Sequence, residues 1–332
     1  MRPLFGEEEK KAICEYMDED GFITEFKRTQ KFEKMIAEFT GAKHCIVVNN
    51  GTVSLTLAAM AAGIKAGDEV IVPNYTMIAT PNSVKMFGAN PVFVDVEEST
   101  LCLDIKLVEK AITPATKAIM LVSSNGRYPS VGIEPFLALC EKYDLKLIED
   151  SAQSLGSYYP DGTHIGRKGL VGSFSFSAPK IISTGQGGAI ITDNDEVALR
   201  LRRLKDFGRD GGGSDIHESI GYNFKFTELQ AVIGIEQMKK LPEILRRKEE
   251  IANVQNLVNI AVEKVAKEQA YDLILYQGVA FAGKKVIQGT IKEELPEGFQ
   301  KSEYVEKSGF VDLIVERKNL REKIGSILSI LL

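Results

Sequence analysis

With 332 residues, 44% of them hydrophobic and 26% charged, the chain has a globular composition that excludes a disordered or collagen-like protein. A formal net charge of −5 leaves no basic surface suited to a nucleic-acid backbone. No apolar run approaches the ~20 residues that span a bilayer, and the acidic opening MRPLFGEEEKK lacks a signal peptide's apolar stretch, so a cytoplasmic protein is expected.

At about 100–200 residues per domain, the length allows one large domain or two ordinary ones. From residue 45 onward, short β-branched runs alternate with longer amphipathic ones. Residues 45–48 (CIVV) predict a strand, and the stretch after Gly51-Thr52 a helix. A strand at 69–72, a helix around 83–87 and a strand at 91–96 (PVFVDV) follow. Residues 104–112 predict a helix, 118–122 a strand, 134–143 a helix and 146–150 (KLIED) a strand. Strands spaced by helices argue for an α/β fold whose mostly parallel sheet is covered on both faces. Such sheets bind ligands beyond the carboxyl ends of their strands.

Strands at 173–176 and 189–192 flank a glycine-rich turn at 185–188, and a helix runs from 196 to about 207. Gly211, Gly212 and Gly213 with Ser214 predict a mobile loop. Residues 227–250 read as helical, with Pro242 expected to kink or break the helix. The alternation stops near residue 250, dividing the chain into 1–250 and 251–332. In the second part, 251–269 predicts an amphipathic helix, 272–281 an apolar strand and 291–332 a charged, mostly helical stretch. Four scattered cysteines without CxxC and three histidines point to neither a disulfide framework nor a metal site.

Three features fall where an α/β sheet places ligands. Asn49-Asn50-Gly51-Thr52 joins a strand to a helix, and free amides at a helix start favour a phosphate; the same residues also suit an ordinary turn with Thr52 as N-cap. Asp150 ends a strand, where its carboxylate could hold a cationic ring nitrogen or a metal, or cap a following helix. Lys180, in SFSAPK before GQGG, could lose its proton in a desolvated pocket and form a Schiff base, or be a solvated lysine. Together a phosphate cradle, a carboxylate for a pyridinium nitrogen and a Schiff-base lysine imply pyridoxal 5′-phosphate.

The segments NNGTVSLTLAAMAAGIKAGDEVIVPNYT, LIEDSAQSLGS, FSFSAPKIISTGQGGAIIT and GYNFKFTELQAVIG occur in one order from residue 49 to 234. They resemble the sugar-nucleotide aminotransferases of the perosamine-synthase kind, fold type I pyridoxal-phosphate enzymes, over about residues 3–250. The resemblance implies a three-layer α/β sandwich as the large domain. It implies transamination of a nucleotide-linked 4-keto-6-deoxy sugar, with glutamate as amino donor, in polysaccharide (O-antigen) biosynthesis. By that resemblance Lys180 and Asp150 are catalytic. Asp150 partners the pyridine nitrogen, Gln153 meets the ring hydroxyl, and Gly51, Thr52 and Ser175 hold the phosphate. Asn223 reaches the phosphate of a neighbouring subunit, so a homodimer with shared active sites is implied. Related sugar dehydratases carry a histidine at the lysine position, which favours transamination here.

Two departures bear on the pocket. Met77 stands where the family has a ring-stacking aromatic, with Tyr75 two residues away, and a methionine can lie against a ring. Val122-Ser123-Ser124-Asn125-Gly126-Arg127 replaces a segment with a histidine and an aromatic, which implies altered substrate contacts. From about residue 281, VIQGTIKEELPEGFQ and GFVDLIVERKNLR resemble the C-terminal end of the acetyl-CoA carboxylase carboxyltransferase β subunit. Residues 251–332 therefore read as an atypical segment in place of the expected small domain. The competing reading is an impaired mosaic that binds the cofactor, or only keeps the fold.

Overall fold

Alternation of apolar side chains along each strand sends successive residues to opposite faces, so one sheet needs helices on both sides. The computed structural model describes residues 4–211 and 215–269. Its elements are α1 (Glu7–Asp18), α2 (Lys27–Thr40), β1 (His44–Val48), α3 (Gly51–Ala61), β2 (Glu69–Pro73), α4 (Ala79–Lys85), β3 (Asn90–Val94) and α5 (Ile105–Ala111). Then come β4 (Thr116–Val122), α6 (Glu134–Tyr143), β5 (Lys146–Asp150), β6 (Val171–Ser175), β7 (Gly188–Thr192), α7 (Asp195–Lys205) and α8 (Glu228–Gln269). The strands form one seven-stranded sheet in the order β1-β7-β6-β5-β4-β2-β3. Only β7 runs against its neighbours, as the mostly parallel expectation requires.

Ile46, Val70, Val72, Met120, Ile148 and Ile190 face a core shared with α3 and α7. On the opposite face, Cys45, Val47, Ala189 and Ile191 pack against Phe32 and Ile36 of α2 and Ile235 of α8. Ile71, Ile119, Leu121 and Leu147 pack with Val108 of α5 and Phe136 of α6. This is the three-layer arrangement.

Several boundaries differ from expectation. The helix expected around 83–87 is α4, which starts at Ala79 and ends at Lys85; buried Thr80, Pro81, Ser83 and Val84 set its inner face. The strand expected to reach residue 96 ends at Val94, and Val96 makes only a bridge to Leu103. The helix expected to reach 207 stops at Lys205, because Phe207 takes a left-handed φ of 55°. Pro242 does not break α8: Leu241 and Ile244 are buried on either side of it, so packing retains both turns across the missing N–H. Helices α1 and α2 precede the first expected element. The readings at 212–214, 272–281 and 291–332, and the carboxyltransferase-like tail, lie outside the described residues.

The chain divides into two units between Leu245 and Arg246. All seven strands and α1–α7 belong to the first. The described part of the second is the helical run to Gln269.

His164 is buried among Phe39, Tyr158 and Phe174. Its Nδ1–H donates to the Ile165 carbonyl at 2.6 Å, and Nε2 accepts the Gly156 amide at 2.9 Å. Burial drives its pKa down to about 4, so the unfolded chain, titrating near 6.5, binds the extra proton first as pH falls. Stability should therefore drop by about 3 kcal/mol between pH 6.5 and 4. Urea unfolding across that range should show the gap between wild type and H164Q shrinking; a pH-independent gap would refute the assignment.

Candidate active site

Antiparallel β7 brings its first residue, Gly188, opposite Val48 and Ser175, the last residues of β1 and β6. Asp150 ends β5 opposite Val122 of β4 and Ser173 of β6. One end of the sheet thus gathers Asn49–Thr52, Asp150–Gln153 and the loop carrying Lys180.

Asp150 is buried, and no helix follows it, so capping does not explain it. Its Oδ2 accepts the Thr80 hydroxyl at 2.8 Å and Oδ1 the Ala152 amide at 3.2 Å. The Thr80 and Thr76 hydroxyls lie 2.9 Å apart. Burial raises the Asp150 pKa, while Thr80, Ala152 and the charge of Lys180 oppose the rise. Both carboxylate oxygens keep lone pairs for a cationic N–H.

Lys180 sits half-buried between β6 and β7. Desolvation lowers its pKa, with Asp150 pulling the other way, so it holds its proton less firmly than a solvated lysine does. Its loop is pinned at both ends. Phe176 donates to the Gly187 carbonyl at 2.8 Å, and its own carbonyl accepts the Thr184 amide at 3.0 Å. Phe176 and Ile182 are buried. Gln230 of α8 holds the Gln186 carbonyl at 2.7 Å.

The strand-to-helix junction differs from one reading: the N-cap is Asn50, not Thr52. Asn50 Oδ1 accepts the Val53 amide at 2.9 Å, and α3 opens at Gly51. Gly51 and Thr52 are therefore the first helical residues, and their amides have no acceptor within the helix. A Cβ on Gly51 would lie 2.7 Å from Ser175 Cβ, so only glycine allows this approach. Ser175 Oγ stands 3.3 Å from Ser177 Oγ, adding hydroxyls to the amides. Free helix-start amides beside hydroxyls are the kind of donors that suit a phosphate.

Gln153 is exposed, and its Oε1 accepts the Asn125 amide at 2.7 Å. Its side-chain amide remains as a donor, and it ties down the divergent loop where Asn125 takes φ 53°. Met77 and Tyr75 are exposed, 68% and 58%, and so free to meet a ligand. Asn223 is exposed too; its backbone bridges Asp206, and the neighbouring Phe224 carbonyl accepts the Asn49 amide at 3.2 Å. The structure thus brings Gly51 against Ser175 and leaves Asp150 and Lys180 within reach of each other's charge, whereas Asn223 makes no side-chain hydrogen bond to any of them. Sequence reasoning missed Thr80 and Thr76; the only available sign was a pair of threonines one helical turn apart. Among the described residues no cluster suits a metal ion, and no helix is long and apolar enough to cross a membrane.

A glycine-walled cradle, a buried carboxylate and a half-buried lysine fit pyridoxal 5′-phosphate. GDP-perosamine synthase of Caulobacter vibrioides is 39% identical over 249 residues, which are 75% of this chain and 66% of that protein. The chain thus spans just under two thirds of that relative's length. The X-ray structure of the aminotransferase from Psychrobacter cryohalolentis matches with a TM-score of 0.73 and 33% identity, over 80% of this chain and 69% of that one. A GDP-4-keto-6-deoxymannose-3-dehydratase with bound GDP-perosamine matches with a TM-score of 0.69 and 28% identity, over 77% and 72%. The DegT/DnrJ/EryC1/StrS aminotransferase profile matches residues 3–276, and the chain belongs to that family.

Proposed function

We propose that this chain is a pyridoxal-phosphate-dependent aminotransferase that passes the amino group of glutamate to a nucleotide-linked 4-keto-6-deoxy sugar for polysaccharide synthesis. The observation that carries this is that buried Asp150 and half-buried Lys180 lie together at the ligand-binding end of the sheet, at the carboxyl ends of the adjacent strands β5 and β6. When bound, the cofactor supplies an electron sink for the pair left on a substrate carbon that loses its proton.

Asp150 holds a proton on the ring nitrogen through its carboxylate. Lys180 Nζ takes the substrate proton and returns it, its lowered affinity placing it closer to the task than a solvated lysine. Gly51, Thr52 and Ser175 grip the phosphate, Gln153 donates to the ring oxygen, and Met77 lies against the ring face. Asn223, exposed on its own chain, reaches the phosphate of a second copy in a homodimer. Residues 1–250 act as the large domain, and 251–332 stand in place of the small one. The acidic charge and the lack of a spanning helix among the described residues support a cytoplasmic enzyme with neither nucleic acid nor membrane as partner.

The test is the visible absorbance of the purified full chain with added cofactor, followed by glutamate in a single turnover. A visible band that glutamate shifts is expected. A colourless protein sinks the proposal, and a band that glutamate leaves unchanged favours the impaired mosaic.

A further inference from the structure

We propose that Thr80 is a positioning residue that keeps Asp150 ionised and aimed, so that the proton between its carboxylate and the cofactor's ring nitrogen stays on the nitrogen; this rests on the pyridoxal-phosphate reading above. Thr80 is fully buried in the first turn of α4, while Asp150 ends β5. The 2.8 Å bond from Thr80 Oγ1 to Oδ2 therefore ties a helix to a strand end.

Its direction follows from valence. An ionised carboxylate only accepts, so the single Thr80 hydroxyl proton is committed to Asp150. The 2.9 Å contact with Thr76 must then be Thr76 donating to Thr80. The two hydroxyls form a chain oriented toward the carboxylate, and each bond polarises the next. The other bond to Asp150, from the Ala152 amide, is longer at 3.2 Å. Burial works against the charged form, and a hydroxyl aimed at Oδ2 counteracts it. Without that hydroxyl the carboxylate binds the shared proton more strongly, and the ring nitrogen loses it.

The experiment adds pyridoxal phosphate labelled with ¹⁵N in the ring to the purified full chain. The ring-nitrogen chemical shift and the cofactor dissociation constant are read at one pH for wild type, T80S, T80V and T76V. Wild type and T80S should both show a pyridinium nitrogen. In T80V the shift should move toward neutral pyridine, and the dissociation constant should rise about tenfold to a hundredfold, as for loss of a hydrogen bond to a charged group. T76V, which removes only the outer hydroxyl, should move the same way by less.

T80V that binds the cofactor with an unchanged nitrogen overturns the proposal. If T80V does not fold, an unchanged nitrogen in T76V overturns it instead. Wild type that takes up no cofactor sinks this inference together with the function it rests on. A pyridinium signal in wild type that neither variant alters removes this inference alone.

Discussion

Lys180→Ala is expected to lower turnover by at least about 10³-fold, within the 10²–10⁴ that one positioned general acid–base supplies and before any covalent contribution is counted. It is also expected to abolish covalent attachment of the cofactor. Borohydride should leave cofactor bound to the wild-type chain through denaturation and none bound to the variant. The charge-keeping Lys180→Arg should fail equally, because a guanidinium does not give up its proton near neutral pH. The loop should survive either change. The Phe176–Gly187 and Thr184–Phe176 bonds and the buried Phe176 and Ile182 set its shape without the lysine side chain. A variant that keeps a tenth of wild-type turnover would remove Lys180 from the chemistry.

The difference between Lys180 and Thr80 shows what a sequence can disclose. Lys180, Asp150 and the Gly51-Thr52 junction sit at places the strand spacing already marks, because a parallel sheet puts every strand's carboxyl end on one side. That these residues share one end of the sheet is therefore legible in the sequence. Thr80 is not, since its partner lies 70 residues further along the chain and nothing local distinguishes a buried threonine from an exposed one. The register of α4 failed for a related reason. Ala79, Thr80, Pro81 and Asn82 lack an apolar periodicity, and their burial comes from the sheet beneath rather than from propensity. Residues 32, 36 and 39 of α2 carry helical spacing (Phe32, Ile36, Phe39), a signal the reading of the sequence, which starts at residue 45, does not use; how the start of that helix is closed leaves no local signal at all.

That closure is the site of the largest stability effect expected here: Glu228→Ala should destabilise the fold by about 4 kcal/mol or more. Phe26, the N-cap residue of α2, offers no side-chain cap, so the helix's first amides need an acceptor from elsewhere. Fully buried Glu228, the first residue of α8, supplies it. Its Oε1 accepts the amides of Phe26 at 2.7 Å and Thr29 at 2.8 Å, with the Thr29 hydroxyl at 2.7 Å; Oε2 accepts the Arg28 amide at 2.7 Å. Deleting the carboxylate strands four buried or part-buried donors at roughly 1–3 kcal/mol each, less what entering water recovers. Against a typical margin of about 5–15 kcal/mol, that removes most of the stability at the low end of the range. Glu228→Gln should cost less, because an amide oxygen at the Oε1 position still serves three donors while its NH₂ group opposes only the Arg28 amide. Urea midpoints should therefore fall in the order wild type, E228Q, E228A, while E228Q that folds should keep the visible band of Lys180-bound cofactor. An E228A midpoint within about 1 kcal/mol of wild type would mean that α2 does not depend on α8 for its cap.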